Sequence, residues 1–255
     1  MSEPQNDKYS FDQFTKFLEN NFSLILIILI VFASGFLFGS LWKENKLLKD
    51  GKQVAQEEQQ PNVPQGPSVE DLKKMPEVTA DDYQRGAEDG QILIVEYSDY
   101  ECPFCNKFHP TMQKIMDEYG DQVTWVYRHF PLDALHQNAR TLAEMSECVA
   151  EYGSEDKFWE FSDEIYGQIE DNPEIAETEN ALDLVAEIGV NRNKVATCVE
   201  NGDMADAVKE DASGGKQAGV TGTPGSIFWA EGEDPELIPG ALPYETIKQK
   251  IENNL

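Results

Sequence analysis

From Phe22 to Trp42 the chain carries no charged residue, and Leu24 to Phe32 is almost wholly Leu, Ile and Val. A helix of that length reaches roughly 30 Å, the thickness of a bilayer's hydrocarbon core. The pattern therefore predicts a transmembrane anchor over 22–42, with Trp42 and Lys43 at its interface. Ala33-Ser34-Gly35 offers small residues of the kind a signal peptidase cuts. The polar lead over 1–21 and the apolar Phe36-Leu37-Phe38 beyond that point favour an uncleaved anchor. Residues 1–21 then read as a cytoplasmic N-terminal segment. Residues 43–77 are rich in Lys, Glu, Gln and Pro, without apolar periodicity, and predict an extended linker. The folded domain is expected over 78–255, beginning near Val78.

Within that domain the periodicities change in an ordered way. Ile92-Leu93-Ile94-Val95 is a short β-branched apolar run, as in a buried strand. Phe108, Met112, Ile115, Met116 and Tyr119 then recur at helical spacing. Val123 to Phe130 reads as a second strand, ended by Pro131. Strand, helix and strand joined by a right-handed crossover make the two strands parallel neighbours. From about His136 to Gln217 helical patterns dominate, over 139–152, 157–169, 181–188, 195–200 and 204–218. Such a subdomain has a sufficient core only if it packs on the sheet. Ser226-Ile227-Phe228-Trp229 and Leu237-Ile238 supply two more short strands, and Tyr244 to Asn253 a closing helix. The class is α/β. Trp125, Tyr127, Phe158, Trp159, Phe161 and Tyr166 are expected in the core.

Composition narrows the function. The 255 residues include 20 basic and 48 acidic side chains, a formal net charge of −28. Such a surface repels phosphate, which argues against a nucleic-acid partner. The four cysteines, Cys102, Cys105, Cys148 and Cys198, are too few for a disulfide framework but enough for one reactive and one structural pair.

Cys102-Pro103-Phe104-Cys105 lies where a buried strand feeds a helix N-terminus. Free backbone N–H groups and the positive end of the helix dipole favour a thiolate there. A zinc site would need four ligands, and only His109 lies nearby, so a redox pair is favoured over metal. Cys102 is then expected as the exposed nucleophile and Cys105 as the thiol that resolves a mixed disulfide. Thr221-Gly222-Thr223-Pro224-Gly225 precedes a strand, where proline cannot donate to the ladder and Thr-Pro can adopt the cis peptide. His109, His129 and His136 are given structural roles.

The run Glu96 to Cys105, the helical insertion, and Gly219-Val220-Thr221-Gly222-Thr223-Pro224 together resemble the DsbA-type thiol:disulfide oxidoreductases, in their membrane-tethered envelope branch. Lys157 to Phe161 and Ile238 to Ala241 are also similar to segments of that family. The resemblance implies a thioredoxin fold with a helical subdomain, about 136–217, inserted between its second and third strands. It implies Cys102 as the attacking thiol, Cys105 as its partner, Pro103 and Phe104 between them, and Thr223 before a cis Pro224. Glu96 matches a buried acid that relays a proton near Cys105; the alternative is an exposed strand-end carboxylate. Cys148 and Cys198 are expected to form a structural disulfide, with two buried free thiols as the alternative.

The function so implied is disulfide formation in secreted or envelope proteins. It takes reduced protein substrates outside the cytoplasm and a membrane re-oxidising partner, with no flavin, nicotinamide or metal cofactor. A reductase or isomerase would use the same site, and a tethered peptide-binding or chaperone module would use its groove without turnover. Lys43, Lys46, Lys49 and Lys52 follow the span and only Lys8 and Lys16 precede it. The positive-inside rule alone would keep the domain in the cytoplasm. Oxidising cysteine chemistry outweighs it, and the expected location is a single-pass cell-membrane protein with its catalytic domain outside.

Overall fold

The computed structural model describes residues 66–255. The anchor expected over 22–42, the segment before it and the linker up to residue 65 lie outside the described residues. Among those described, no helix is long and apolar enough to cross a membrane.

Five strands form one mixed sheet in the order β1-β3-β2-β4-β5. They are β1 (Tyr83–Gly86), β2 (Ile92–Ser98), β3 (Val123–His129), β4 (Gly225–Ala230) and β5 (Glu236–Pro239). The central strand β2 pairs in parallel with β3, Glu96 opposite Tyr127, and antiparallel with β4, Glu96 opposite Ser226. The helix between β2 and β3, Pro103–Tyr119, supplies the crossover. We label it α2, after a short α1 at Val69–Leu72.

The insertion runs from β3 to β4 as α3 (Ala139–Tyr152), α4 (Glu155–Gln168), a 3-10 turn (Pro173–Ala176), α5 (Thr178–Glu187), α6 (Arg192–Asn201) and α7 (Ala205–Gln217), and α8 (Tyr244–Glu252) closes the chain. Three helices, α4, α5 and α6, start two or three residues earlier than periodicity alone suggests, and for α4 and α6 the reason is local. Ser154 accepts from the Lys157 N–H and Asn191 from the Lys194 N–H, so side-chain caps fix the first turns of α4 and α6.

The sheet is buried on both faces. Ile92, Ile94, Trp125 and Tyr127 pack beneath α2 and the insertion, together with Phe158, Trp159, Phe161 and Tyr166. Val95, Tyr97, Val126 and Phe130 pack on the opposite face with Ala212 of α7 and Leu72 of α1. There α7 approaches through glycine: a Cβ on Gly215 would lie 2.7 Å from the Tyr97 ring.

Packed structure begins ahead of Val78. Ser68 and Asp71 form a capping box at α1, and Leu72 and Met75 are buried. Arg128 explains the attachment. Its guanidinium donates to both Asp82 oxygens, to the Pro76 and Glu77 carbonyls and to the Tyr97 hydroxyl. The strand β1 was not expected either. Its sequence, Tyr83-Gln84-Arg85-Gly86, lacks alternation and is held by antiparallel pairing with β3. The insertion therefore follows the third strand of the sheet, counting β1.

Candidate active site

Strand β2 ends at Ser98, and a four-residue turn leads into α2. The turn is held by carboxylates. Asp99 takes the Glu101 N–H on one oxygen and the Leu132 N–H and His136 Nδ1 on the other, each within 2.9 Å. Glu101 accepts from the Asn138 backbone at 2.5 Å and from its side chain at 3.2 Å. The loop after β3 is thereby fixed to the residues that aim Cys102.

Cys102 is the N-cap of α2 and Pro103 its first helical residue. Proline has no N–H, so the free donors of the first turn come from Phe104 and Cys105. With no conventional capping side chain present, the sulfur stands where a cap oxygen would. The thiol is brought down to about 5, chiefly by the Cys105 side chain and then by Thr223 and the Cys105 and Phe104 N–H groups, against burial, which opposes ionisation. Cys105, fully inside, is pushed well above the ordinary thiol value by burial and by its charged neighbour. The two sulfurs thus differ in kind: one is an ion at neutral pH, the other a thiol.

Thr223-Pro224 is a cis peptide, and β4 begins at the next residue. Because Gly225 pairs with Tyr97, the β2–β4 register carries this peptide to the end of β2, beside the start of α2. When protonated, Cys102 donates from Sγ to the Thr223 carbonyl at 3.3 Å. Cys102 is not exposed, which corrects the sequence expectation: it is 4% accessible, whereas Phe104 is 59% accessible. The Thr223-Pro224 backbone packs against the sulfur and leaves Phe104 as the outward-facing residue of the motif.

Glu96 is fully buried, so the exposed alternative fails. Its Oε2 accepts the Trp125 indole N–H at 3.0 Å, while Oε1 has no hydrogen-bond partner among the described residues. Burial raises the carboxyl to about 7, opposed by Ser98 and Trp125. Ser226, opposite it on β4, also has a buried hydroxyl without a partner among the described residues.

Cys148 on α3 and Cys198 on α6 are joined in a disulfide across 50 residues, with Cα atoms 6.1 Å apart. His109 is buried on α2, bonded through Nε2 to Asp163 at 2.7 Å and stacked on Tyr166, and burial lowers its pKa. Arg85 completes that group with two bonds to Asp163. His129 meets Ser146 at 3.3 Å and Glu147 at 3.2 Å.

One feature was missed from the sequence. Ser98, Tyr166 and Tyr127 form a chain of buried hydroxyls beneath the motif, with O···O distances of 3.0 and 2.9 Å. The available signal was a polar pair, Glu96 and Ser98, two apart at the end of an apolar strand and so on one face.

A thiolate held over a buried thiol, next to an exposed apolar side chain and a strand edge, is equipped for dithiol–disulfide exchange. Comparison with solved structures shows the same fold elsewhere. Of solved structures, DsbA2 of Pseudomonas aeruginosa superposes with a TM-score of 0.56 at 23% identity, over 69% of this chain and 96% of that one. An α-DsbA1 variant of Wolbachia pipientis gives 0.62 at 18% identity, over 72% and 94%. Oxidised BdbD of Bacillus subtilis gives 0.56 at 20% identity, over 74% and 95%.

Among curated proteins, a Na(+)/H(+) antiporter NhaA 1 from Mycolicibacterium vanbaalenii is 38% identical over 90 residues, which is 35% of this chain and 14% of that protein. An NhaA antiporter from Herminiimonas arsenicoxydans is 27% identical over 171 residues, 67% of this chain and 25% of that protein. The matched stretches thus span a quarter or less of these curated relatives. A family model described as Thioredoxin matches residues 79–252, so the chain belongs to the Thioredoxin family, with the fold seen in DsbA-type thiol:disulfide oxidoreductases.

Proposed function

We propose that this protein is an extracytoplasmic thiol:disulfide oxidoreductase that introduces disulfides into secreted or envelope proteins through Cys102 and Cys105. The observation that carries the reading is the split between the two sulfurs, one lowered to about 5 and the other raised. A stable thiolate favours the reduced enzyme and hence oxidation of the substrate. Each pKa unit is worth about 1.4 kcal/mol, equivalent to about 30 mV for a two-electron couple.

In the forward reaction a substrate thiolate attacks Cys102 of the Cys102–Cys105 disulfide. A substrate–Cys102 bond forms, and Cys105 departs and takes up a proton. A second substrate thiolate attacks the substrate sulfur of that mixed disulfide, closing the substrate's own disulfide and releasing Cys102 as the stabilised thiolate. The substrate loses two electrons and the enzyme gains them. Phe104 and the Thr223-Pro224 edge receive the substrate backbone, and Pro103 removes the donor that would compete at the first helical position. Glu96 supplies the proton to Cys105, and Cys148–Cys198 braces the insertion.

Residues 22–42 anchor the chain in the membrane, residues 43–77 tether the domain, and a membrane partner re-oxidises the pair. The uncharged run 22–42 supports the anchor, and the redox chemistry supports the outside location.

The deciding experiment equilibrates the purified protein with glutathione redox buffers, alongside oxidative refolding of a reduced substrate. A potential well above that of thioredoxin, about −270 mV, with substrate oxidation lost in Cys102→Ser, is the expected result. A potential at or below that value overturns the oxidase in favour of a reductase with the same site.

A further inference from the structure

Cys105 and Glu96 are both buried, yet each turnover moves a proton on or off Cys105. Ser98 stands two residues beyond Glu96 on the same face of β2, and its hydroxyl opposes the rise of both the Glu96 carboxyl and the Cys105 thiol. From Ser98 Oγ a hydrogen bond of 3.0 Å reaches the Tyr166 hydroxyl, and one of 2.9 Å continues to the Tyr127 hydroxyl. In each bond either oxygen can be the donor, as hydroxyl-to-hydroxyl transfer requires. Tyr127 in turn borders an open cleft near β1, α3 and α7, which Tyr83, Glu147 and Asp211 also line. At that end Tyr83 donates to Glu147 at 2.6 Å, and Asp211 accepts the His129 N–H at 2.9 Å. Glu96 thus lies near one end of a line of neutral hydroxyls, and Tyr127 at the other end lines the cleft that holds Glu147 and Asp211.

We propose that Ser98, Tyr166 and Tyr127 are positioning residues that pass protons between the buried Glu96–Cys105 pair and the cleft bearing Glu147 and Asp211. The proposal rests on the redox reading of Cys102 and Cys105. Both tyrosines stay un-ionised, since burial raises them far above their ordinary value, so the transfer is a relay along hydroxyls with no tyrosinate formed. His109 does not join the relay: it stacks on Tyr166 and spends Nε2 on Asp163.

Oxidation of the reduced protein by glutathione disulfide isolates the step. Cys102 thiolate attacks the glutathione disulfide, a Cys102–glutathione bond forms, and one glutathione thiolate leaves. Cys105 then gives its proton to Glu96, from which one passes through Ser98, Tyr166 and Tyr127 to the cleft. Cys105 sulfur attacks Cys102, closing the enzyme disulfide and expelling the second glutathione thiolate. The first step moves no proton in the interior; the second must take one off the buried Cys105.

Both rates are measured by rapid quench on the full chain, in light and heavy water, for wild type, Tyr166→Phe, Tyr127→Phe and Tyr97→Phe. Tyr97 is a buried tyrosine on the opposite face of β2, so its variant reports the cost of merely losing such a hydroxyl. The expected result is a second step slowed about tenfold in Tyr166→Phe and Tyr127→Phe, against the ~10²-fold or more that a positioned proton acceptor supplies. The same two variants change the solvent isotope effect of that step and leave the first step unaltered. Unfolding by urea identifies any variant whose slowing comes from lost structure. Second-step rates and isotope effects equal to those of Tyr97→Phe overturn the relay. A protein in which no Cys102–glutathione adduct forms fails at the parent reading instead, and the two failures are told apart by the first step.

Discussion

Replacing Glu96 by glutamine tests whether a carboxyl is stored at an energetic cost beneath the redox pair. The group is fully buried and rises from its usual 4.5 to about 7. A folded-state value above the unfolded one makes a contribution that is fully present below about 4.5 and is lost as pH rises through about 7. Wild type must therefore lose stability on going from pH 5 to pH 8. The linkage relation puts the loss from this one group at about 2.5 kcal/mol.

Glutamine keeps an oxygen for the Trp125 indole but places an NH2 where Oε1 has no partner, a penalty of about 1–3 kcal/mol that does not vary with pH. The informative quantity is therefore the change with pH. Asp211, raised to about 6 by burial, pulls the stability of both proteins in the same direction and cancels in the comparison. Urea unfolding of oxidised wild type and Glu96→Gln at the two pH values should show the variant's slope shallower by about 2 kcal/mol or more. Equal slopes would refute the claim that Glu96 is a buried, strained acid, and with it the physical case for a proton donor at Cys105.

Three further outcomes follow. Alkylation of reduced protein by iodoacetamide should show a Cys102 midpoint near 5, because the thiolate stabilisation persists above that pH and is lost as pH falls through it; a midpoint of about 8 or above removes the basis for an oxidising site. Replacing both Cys148 and Cys198 by alanine opens a loop of 50 residues, a loss of about 4 kcal/mol on the chain-entropy model and a melting point lower by roughly 10 °C; a shift within error would mean that the bridge does not constrain the unfolded chain. Gly215→Ala drives a methyl to 2.7 Å from the Tyr97 ring and should cost about 1–3 kcal/mol in urea unfolding, whereas a neutral result would show that α7 can slide away from β2.

The elements that periodicity exposed are those whose stability is decided by their own residues. The run from Ile92, the helical face from Phe108 to Tyr119 and the strand from Val123 are each patterned by the burial they meet. What sequence did not expose was held by distant partners. Strand β1 exists because β3 offers it an edge, and α1 with the segment after it is pinned by Arg128, reaching back to Pro76, Glu77 and Asp82. The candidate site divides along the same line. Cys102, Pro103 and Cys105 declare themselves by spacing and by the helix start, since the chemistry depends on local backbone donors.

Glu96 does not, because whether a strand-end acid is buried depends on what covers β2. Here α2 and the insertion bury its face of the sheet, with Tyr166 about seventy residues away in sequence. That distance has a mechanistic consequence. The helices that bury this carboxyl, at a cost at neutral pH, also bring Tyr166 into line with Ser98 and Tyr127. The insertion is then more than a lid on the thioredoxin sheet. It covers the face of β2 that carries Glu96 and supplies the Tyr166 hydroxyl bonded to Ser98 and Tyr127, so that, on the relay proposed above, carboxyl burial and the hydroxyl line depend on one packing interface.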